Sequence, residues 1–148
     1  MELGAHIEDF ELPDQDGKAR SLYRLLEAGR VVLFFYPAAL SYGCTKESCH
    51  FRDLAGDFAA LGAQRVGISP DSMQRQREFA DRHGLDYPLL ADTGGEIARR
   101  FGVRRSFGLK TKRRTFVIER DATLLASITS ELSMTHHSDR ALEVLAAK

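Results

Sequence analysis

The chain has 148 residues and balances 21 basic against 21 acidic side chains, so it carries no formal net charge. That length buries a core without disulfides or metals to hold it. The balance excludes bulk attraction to nucleic acid or to an anionic membrane. No apolar run approaches the roughly 20 residues that span a bilayer. The opening stretch, MELGAHIEDFELPDQDG, has acidic residues where a secretory leader has a positive region. A cytoplasmic protein is therefore expected, in a reducing compartment where structural disulfides are rare. No repeat or linker-like stretch divides the chain, and residues 1–148 are expected to form one domain.

Near the start, ELPDQDGKARSL reads as a short strand, a turn at Asp16-Gly17 and a second short strand. Ser21 is placed to cap a helix through Leu26 that stops near Gly29. RVVLFFYP is a continuous apolar run rich in β-branched and aromatic residues, the pattern of a strand buried on both faces, and Pro37 closes it. Phe51, Leu54, Phe58 and Leu61 then recur at helical spacing among charged residues. One helix is expected from Cys44 to Leu61, ended by Gly62. QRVGIS is another buried strand, and DSMQRQREFADRHG a helix with Asp71 or Ser72 as cap and Gly84 as stop.

YPLLAD and GEIARRFG follow as a short strand and a short helix. RTFVIERDATLLASITSE reads as two strands around an Arg-Asp-Ala-Thr turn, and SDRALEVLAAK as a closing amphipathic helix with Ser138 as N-cap. Strands alternating with helices, then a strand–strand–helix ending, predict a mixed sheet with helices on both faces. The expected architecture is a thioredoxin-like α/β fold with an N-terminal β-hairpin added.

The only two cysteines, Cys44 and Cys49, lie in YPAALSYGCTKESC, just after the first buried strand. In such sheets, chemistry gathers beyond the carboxyl ends of strands, where helix N-termini present free N–H groups. The helix dipole and those donors favour a thiolate at Cys44, and a cysteine so placed can drop from about 8.5 into the ~3.5–7.5 range. Gly43 lets the backbone approach a ligand, and Ser41 is within reach of the sulfur or a substrate oxygen. Five helical residues separate two Cα atoms by roughly 8.6 Å, beyond the ~7 Å limit of a disulfide. Pairing of Cys44 with Cys49 therefore requires the first turns to unwind.

On these residues alone three readings stay open: a redox pair, part of a metal site with His50 and the His136-His137 pair, or two buried small hydrophobes. The spacing fits no common zinc pattern. His136 and His137 are expected to be solvated or capping, and His6 and His83 to lie on the surface. Glu47 is read as a complement to the helix dipole. The basic run RRSFGLKTKRR, 104 to 114, is read as a solvated loop or as a docking rim or lid.

Pro37, Ser41 and Cys44 match the Pro-x-x-x-Ser/Thr-x-x-Cys signature of the peroxiredoxins, and GCTKESCHFRD resembles the Q-type branch, the bacterioferritin comigratory proteins, in which a second cysteine lies five residues after the first. DFELPDQDG, VVLFFYP, VGISPDS, YPLLADTGGEIARRFGV and RRTFVIERD are also similar to segments of that family, in the same order. The resemblance implies a thiol peroxidase with no metal or organic cofactor. Cys44 would be the peroxidatic cysteine and Cys49 the resolving one, with thioredoxin or a similar dithiol as reductant. Pro37 would shield the thiolate and Ser41 would bind sulfur and peroxide oxygens.

Arg113, three residues before Phe116, would bring its guanidinium fork to the thiolate and the peroxide. Arg114 would face the other way on an alternating strand. Where the Q branch commonly reads Thr-Pro-Gly-Cys, this chain reads Ser41-Tyr42-Gly43-Cys44. Leu40 and Tyr42 thus form an apolar pair beside the nucleophile, expected to favour organic peroxides. A monomer or weak homodimer is expected. The competing classes are a disulfide oxidoreductase, which would want a C-x-x-C, and a non-catalytic redox-sensing or binding module.

Overall fold

The computed structural model describes residues 1–104, 111–130 and 133–148. A two-stranded antiparallel hairpin, β1 (Glu11–Pro13) and β2 (Ala19–Ser21), opens the chain. Asp14 organises its turn: one carboxylate oxygen accepts the N–H groups of Asp16 (2.8 Å) and Lys18 (3.0 Å), and the other accepts from Arg20 Nε (2.9 Å). Ser21 Oγ accepts from Arg24 N and so caps α1 (Leu22–Ala28) as expected.

The main sheet has the order β5-β4-β3-β6-β7. At its centre β3 (Arg30–Phe35) runs parallel to β4 (Ala63–Ser69), which is parallel to β5 (Leu89–Ala91). On its other side β3 is antiparallel to β6 (Arg114–Ile118), followed by antiparallel β7 (Leu124–Thr129). Because β3 is covered on both faces, its residues alternate between two cores. Val31, Leu33 and Phe35 join α1 and α5 (Glu96–Arg100) on one side. Val32, Phe34 and Tyr36 join the other layer, formed by α2 (Tyr42–Asp53), α3 (Ala55–Ala60), α4 (Met73–His83) and α6 (His136–Ala146). This is the mixed sheet flanked by helices, with an N-terminal hairpin, that the element order predicts.

Two of the expected helices differ in their bounds. The helix read as Cys44–Leu61 is two helices, and it starts earlier, at Tyr42. Leu54 leaves helical geometry at φ −95° and ψ 18° and divides them. The apolar stripe survives the break, since Phe51 and Phe58 still stack at 5.7 Å, so periodicity alone could not show it. The last helix begins after Thr135 rather than at Ser138. Ser138 sits inside it, buried, with its hydroxyl donating to the Thr135 carbonyl (3.2 Å). α4 is as read: Ser72 Oγ accepts from Arg75 N (3.2 Å), and Gly84 ends it at φ 60°, a left-handed turn that suits glycine.

Candidate active site

The loop 37–41 carries the chain from the end of β3 into the first turn of α2. Ser41 occupies the N-cap position, Leu40 before it is left-handed at φ 67°, and Tyr42 is 85% exposed. Cys44 lies in that first turn, 0% exposed. It shares the inner face of α2 with Glu47, Ser48 and Phe51, at the i, i+3, i+4, i+7 spacing of a buried helical stripe.

Arg113 reaches the same point from the opposite element. It stands just before β6, in step with Thr115 and Val117, and the pleat carries every second side chain to the α2 layer. Its Nη2 donates to Cys44 Sγ at 3.3 Å and its Nη1 to Glu47 Oε1 at 2.9 Å. Burial opposes the charge of this guanidinium, but the neighbouring Glu47 and Cys44 outweigh it and hold the Arg113 pKa above the ordinary arginine value. Arg114 opens β6, one step out of phase, paired with Phe35. Alternation sets the two arginines on opposite faces, and it is the Arg113 guanidinium that stands beside the thiol.

The remaining predicted residues are less tightly gathered. Pro37 is half-buried at the start of the loop. Ser41 Oγ donates to the Ala38 carbonyl (2.8 Å), closing the loop on itself rather than reaching the sulfur. Cys49 is half-buried, in the neighbourhood of Tyr87 and Arg52, and both cysteines are free thiols. With α2 helical from Tyr42 to Asp53, the two stay apart as ideal geometry requires. His50, the third member of the metal reading, instead pairs through Nε2 with Asp139 (2.9 Å).

Two fully buried residues depart from the sequence reading. Glu47, read as a first-turn complement to the helix dipole, lies past the first turn of α2, fully buried and ion-paired with Arg113. His137 is not solvated either, being 0% exposed. Its Nε2 stands 2.8 Å from the Ser130 carbonyl, which only accepts, so this nitrogen carries the proton. Its Nδ1 meets Thr115 Oγ1 at 2.8 Å, and Nε2 lies 4.0 Å from Glu47 Oε2. A signal for both exists in the sequence. Glu47 is in the Cys44–Phe51 stripe, and His137 is spaced with Ala141, Val144 and Leu145 on the buried face of α6.

His136 is exposed, and so is His6, which pairs with the Tyr23 hydroxyl. His83, expected at the surface, is half-buried with its ring edge-on to Phe79. Of the basic run, residues 105–110 lie outside the described residues, and the rim or lid reading lies with them. Arg104 folds back to donate to the Gly94 carbonyl (3.0 Å).

The chain as a whole is similar to known proteins. The model of the AhpC/TSA family matches residues 3–127. A Mycobacterium tuberculosis protein named as a peroxiredoxin is 53% identical over 150 residues, covering 99% of this chain and 97% of its own. The chloroplastic peroxiredoxin Q of Gentiana triflora is 38% identical over 137 residues, 92% of this chain and 63% of that protein. Among solved structures, the peroxidoxin BcpB of M. tuberculosis superposes with a TM-score of 0.96 at 53% identity, over 99% of this chain and 97% of that one. Xanthomonas campestris peroxiredoxin Q superposes with a TM-score of 0.83 at 26% identity, over 93% and 90%. Among the described residues no helix is long and apolar enough to cross a membrane. The chain belongs to the AhpC/TSA family and is a thiol peroxidase of the peroxiredoxin Q type.

Proposed function

We propose that this protein reduces hydrogen peroxide and organic hydroperoxides at Cys44, resolves the product with Cys49, and is recycled by thioredoxin or a similar dithiol. The observation that carries this reading is the Arg113 guanidinium, which spans Cys44 Sγ and Glu47 Oε1 inside a buried site. A fork held by a buried carboxylate stays charged and oriented toward the Cys44 sulfur. The thiolate attacks the terminal peroxide oxygen, the O–O bond breaks, and the leaving oxygen takes a proton from solvent and departs as water or alcohol while Cys44 becomes a sulfenic acid. The same guanidinium is placed to meet the charge that moves onto the leaving oxygen. Pro37 shields the thiolate from bulk water. Ser41 turns from the Ala38 carbonyl to the peroxide as substrate enters.

Once α2 unwinds at its start, Cys49 attacks the sulfenic sulfur, the S–O bond breaks, and water leaves as the disulfide forms. A dithiol then reduces that bond by thiolate exchange. The acting unit is one domain, a monomer or weak homodimer, in a reducing cytoplasm. Alkyl peroxide reduction is the activity ascribed to the structurally similar bacterioferritin comigratory protein of X. campestris. The apolar pair Leu40 and Tyr42 supports a preference for organic peroxides here, and equal rates for hydrogen peroxide and an alkyl hydroperoxide would count against it.

The test adds one equivalent of hydrogen peroxide to the reduced protein and counts free thiols and intact mass within seconds. Loss of both thiols with a two-hydrogen mass decrease is expected. Addition of one oxygen keeps Cys44 and removes Cys49 as its resolver. Two untouched thiols, with alkyl hydroperoxide as well, overturn the reading.

A further inference from the structure

The moving part of α2 lies between two fixed points. Downstream, Tyr87 donates its hydroxyl to the Ser48 carbonyl (2.7 Å), Arg65 Nη1 donates to the Phe51 carbonyl (3.1 Å), and Phe51 stacks on Phe34 with ring centroids 4.1 Å apart. Upstream, the grip is on a single residue of the 37–41 loop. Asp71 Oδ2 accepts the Ala39 N–H at 2.7 Å, and Arg75 Nη2 donates to the Ala39 carbonyl at 3.2 Å. Both peptide groups flanking Ala39 are therefore held by side chains from the start of α4. Leu40, next in the chain, is left-handed, a conformation that a bulky side chain adopts only when its surroundings impose it.

The grip has a rigid base. Ser69 Oγ donates to the same Asp71 oxygen (2.7 Å) and accepts from Gln76 Nε2 (2.9 Å). Gln76 also donates to the Leu90 carbonyl of β5 (2.9 Å) and accepts from the Tyr36 hydroxyl. Tyr36, Ser69 and Gln76 are all buried, so the network is shielded from competing water. Arg75 Nε donates to the second Asp71 oxygen at 3.3 Å. Side-chain exposure ranks the two: 12% for Asp71 against 52% for Arg75, so the carboxylate holds the loop more firmly than the guanidinium does.

We infer, on the premise of the Cys44–Cys49 chemistry proposed above, that Asp71 and Arg75 are positioning residues that decide the fate of oxidised Cys44. They hold the loop in the form that meets peroxide and confine unwinding to the stretch from Leu40 to Glu47. Two reactions compete for the sulfenic acid. Condensation with the Cys49 thiol releases water and needs the unwound form. Attack on a second hydrogen peroxide gives a sulfinic acid and water and needs the folded form, in which Cys44 stays beside Arg113. A loosened clamp shifts the balance to the disulfide and slows the first oxidation.

The experiment compares the full-length wild-type chain with Asp71→Ala, Arg75→Ala, Arg75→Lys and, as a surface control on the same helix, Arg77→Ala. Three quantities are read: the rate of Cys44 oxidation by hydrogen peroxide, the sulfinic fraction at a fixed peroxide excess by intact mass, and amide exchange of the reduced protein. A lost hydrogen bond to a charged group corresponds to a change of about tenfold. Asp71→Ala is expected to slow oxidation by about tenfold, lower the sulfinic fraction, and raise exchange over 40–47 but not over 51–53. Arg75→Ala moves all three the same way by less, Arg75→Lys returns toward wild type, and Arg77→Ala matches it.

Variants indistinguishable from wild type, or a raised sulfinic fraction, overturn the clamp while leaving the proposed function standing. If Asp71→Ala does not fold, Arg75→Ala with its lysine rescue decides alone. A wild-type chain that forms no disulfide removes the resolving step, and the partition falls with it.

Discussion

At the scale of single residues, the site depends on one buried ion pair and the thiol beside it. Arg113→Lys keeps the charge but loses the fork that spans Cys44 and Glu47. We expect kcat/KM for peroxide to fall by about 10²-fold or more, the usual size of losing a preorganised donor, whereas Arg114→Lys stays within a few-fold. The reverse order in a stopped-flow comparison would reassign the arginine. Glu47 has a different kind of importance. Glu47→Ala leaves the Arg113 charge buried without its carboxylate, a change of about 3–5 kcal/mol in unfolding free energy. Glu47→Gln preserves shape, so it should cost less in a urea titration yet still slow peroxide reduction, because the guanidinium is less firmly oriented. Equal destabilisation by the two variants would show that the lost charge sets the whole cost and the shape of the side chain none of it.

At the scale of elements, the sheet is the stiffest part, and Gly67 shows why. A Cβ there would lie 2.9 Å from Leu89 Cδ2 and 3.1 Å from both Phe34 Cζ and Tyr36 Cε1. All three neighbours are buried side chains with little room to give. Gly67→Ala should therefore lower stability by about 1–3 kcal/mol, the cost of overpacking a core, read as a shifted urea midpoint with unchanged slope. The central strand β3 is clear in the sequence because it is buried on both faces and reads as an apolar run. Helix caps are legible where a side chain makes the cap bond, as at Ser21 and Ser72. They are not legible at Thr135, which begins α6 without a side-chain cap bond. The loss of Ser138 as a cap then hides His137, since moving the helix start changes which residues face inward. Leu54 escapes for another reason: a stripe continuing in phase across a kink looks like one helix. Cys44 is expected from its place at a helix start and Arg113 from family spacing alone, whereas Ser41's bond to the Ala38 carbonyl is loop geometry that no residue type announces.

At the scale of the whole molecule, acid should open the hairpin end early. Burial pushes the Asp14 carboxyl up, but its bonds from Arg20 and from the Asp16 and Lys18 N–H groups outweigh that and hold its pKa below the ordinary aspartate value. Glu119 is also depressed, first by the Arg120 N–H and, against burial, by Arg30. A depressed carboxylate contributes stability above its unfolded pKa and loses it as pH falls through the folded value. Melting temperature should hold near neutral pH and decline below about pH 4. Asp14→Asn should flatten part of that decline, and an identical pH profile would remove Asp14 from it. The chain also contains no tryptophan. Tyr42, exposed on the first turn of the helix whose unwinding is proposed above, is thus a site where one indole would be the only one in the protein. In Tyr42→Trp, excitation at the red edge of protein absorption would illuminate that turn alone. Its emission should change on oxidation and recover on reduction, giving the catalytic cycle an optical clock without any added label.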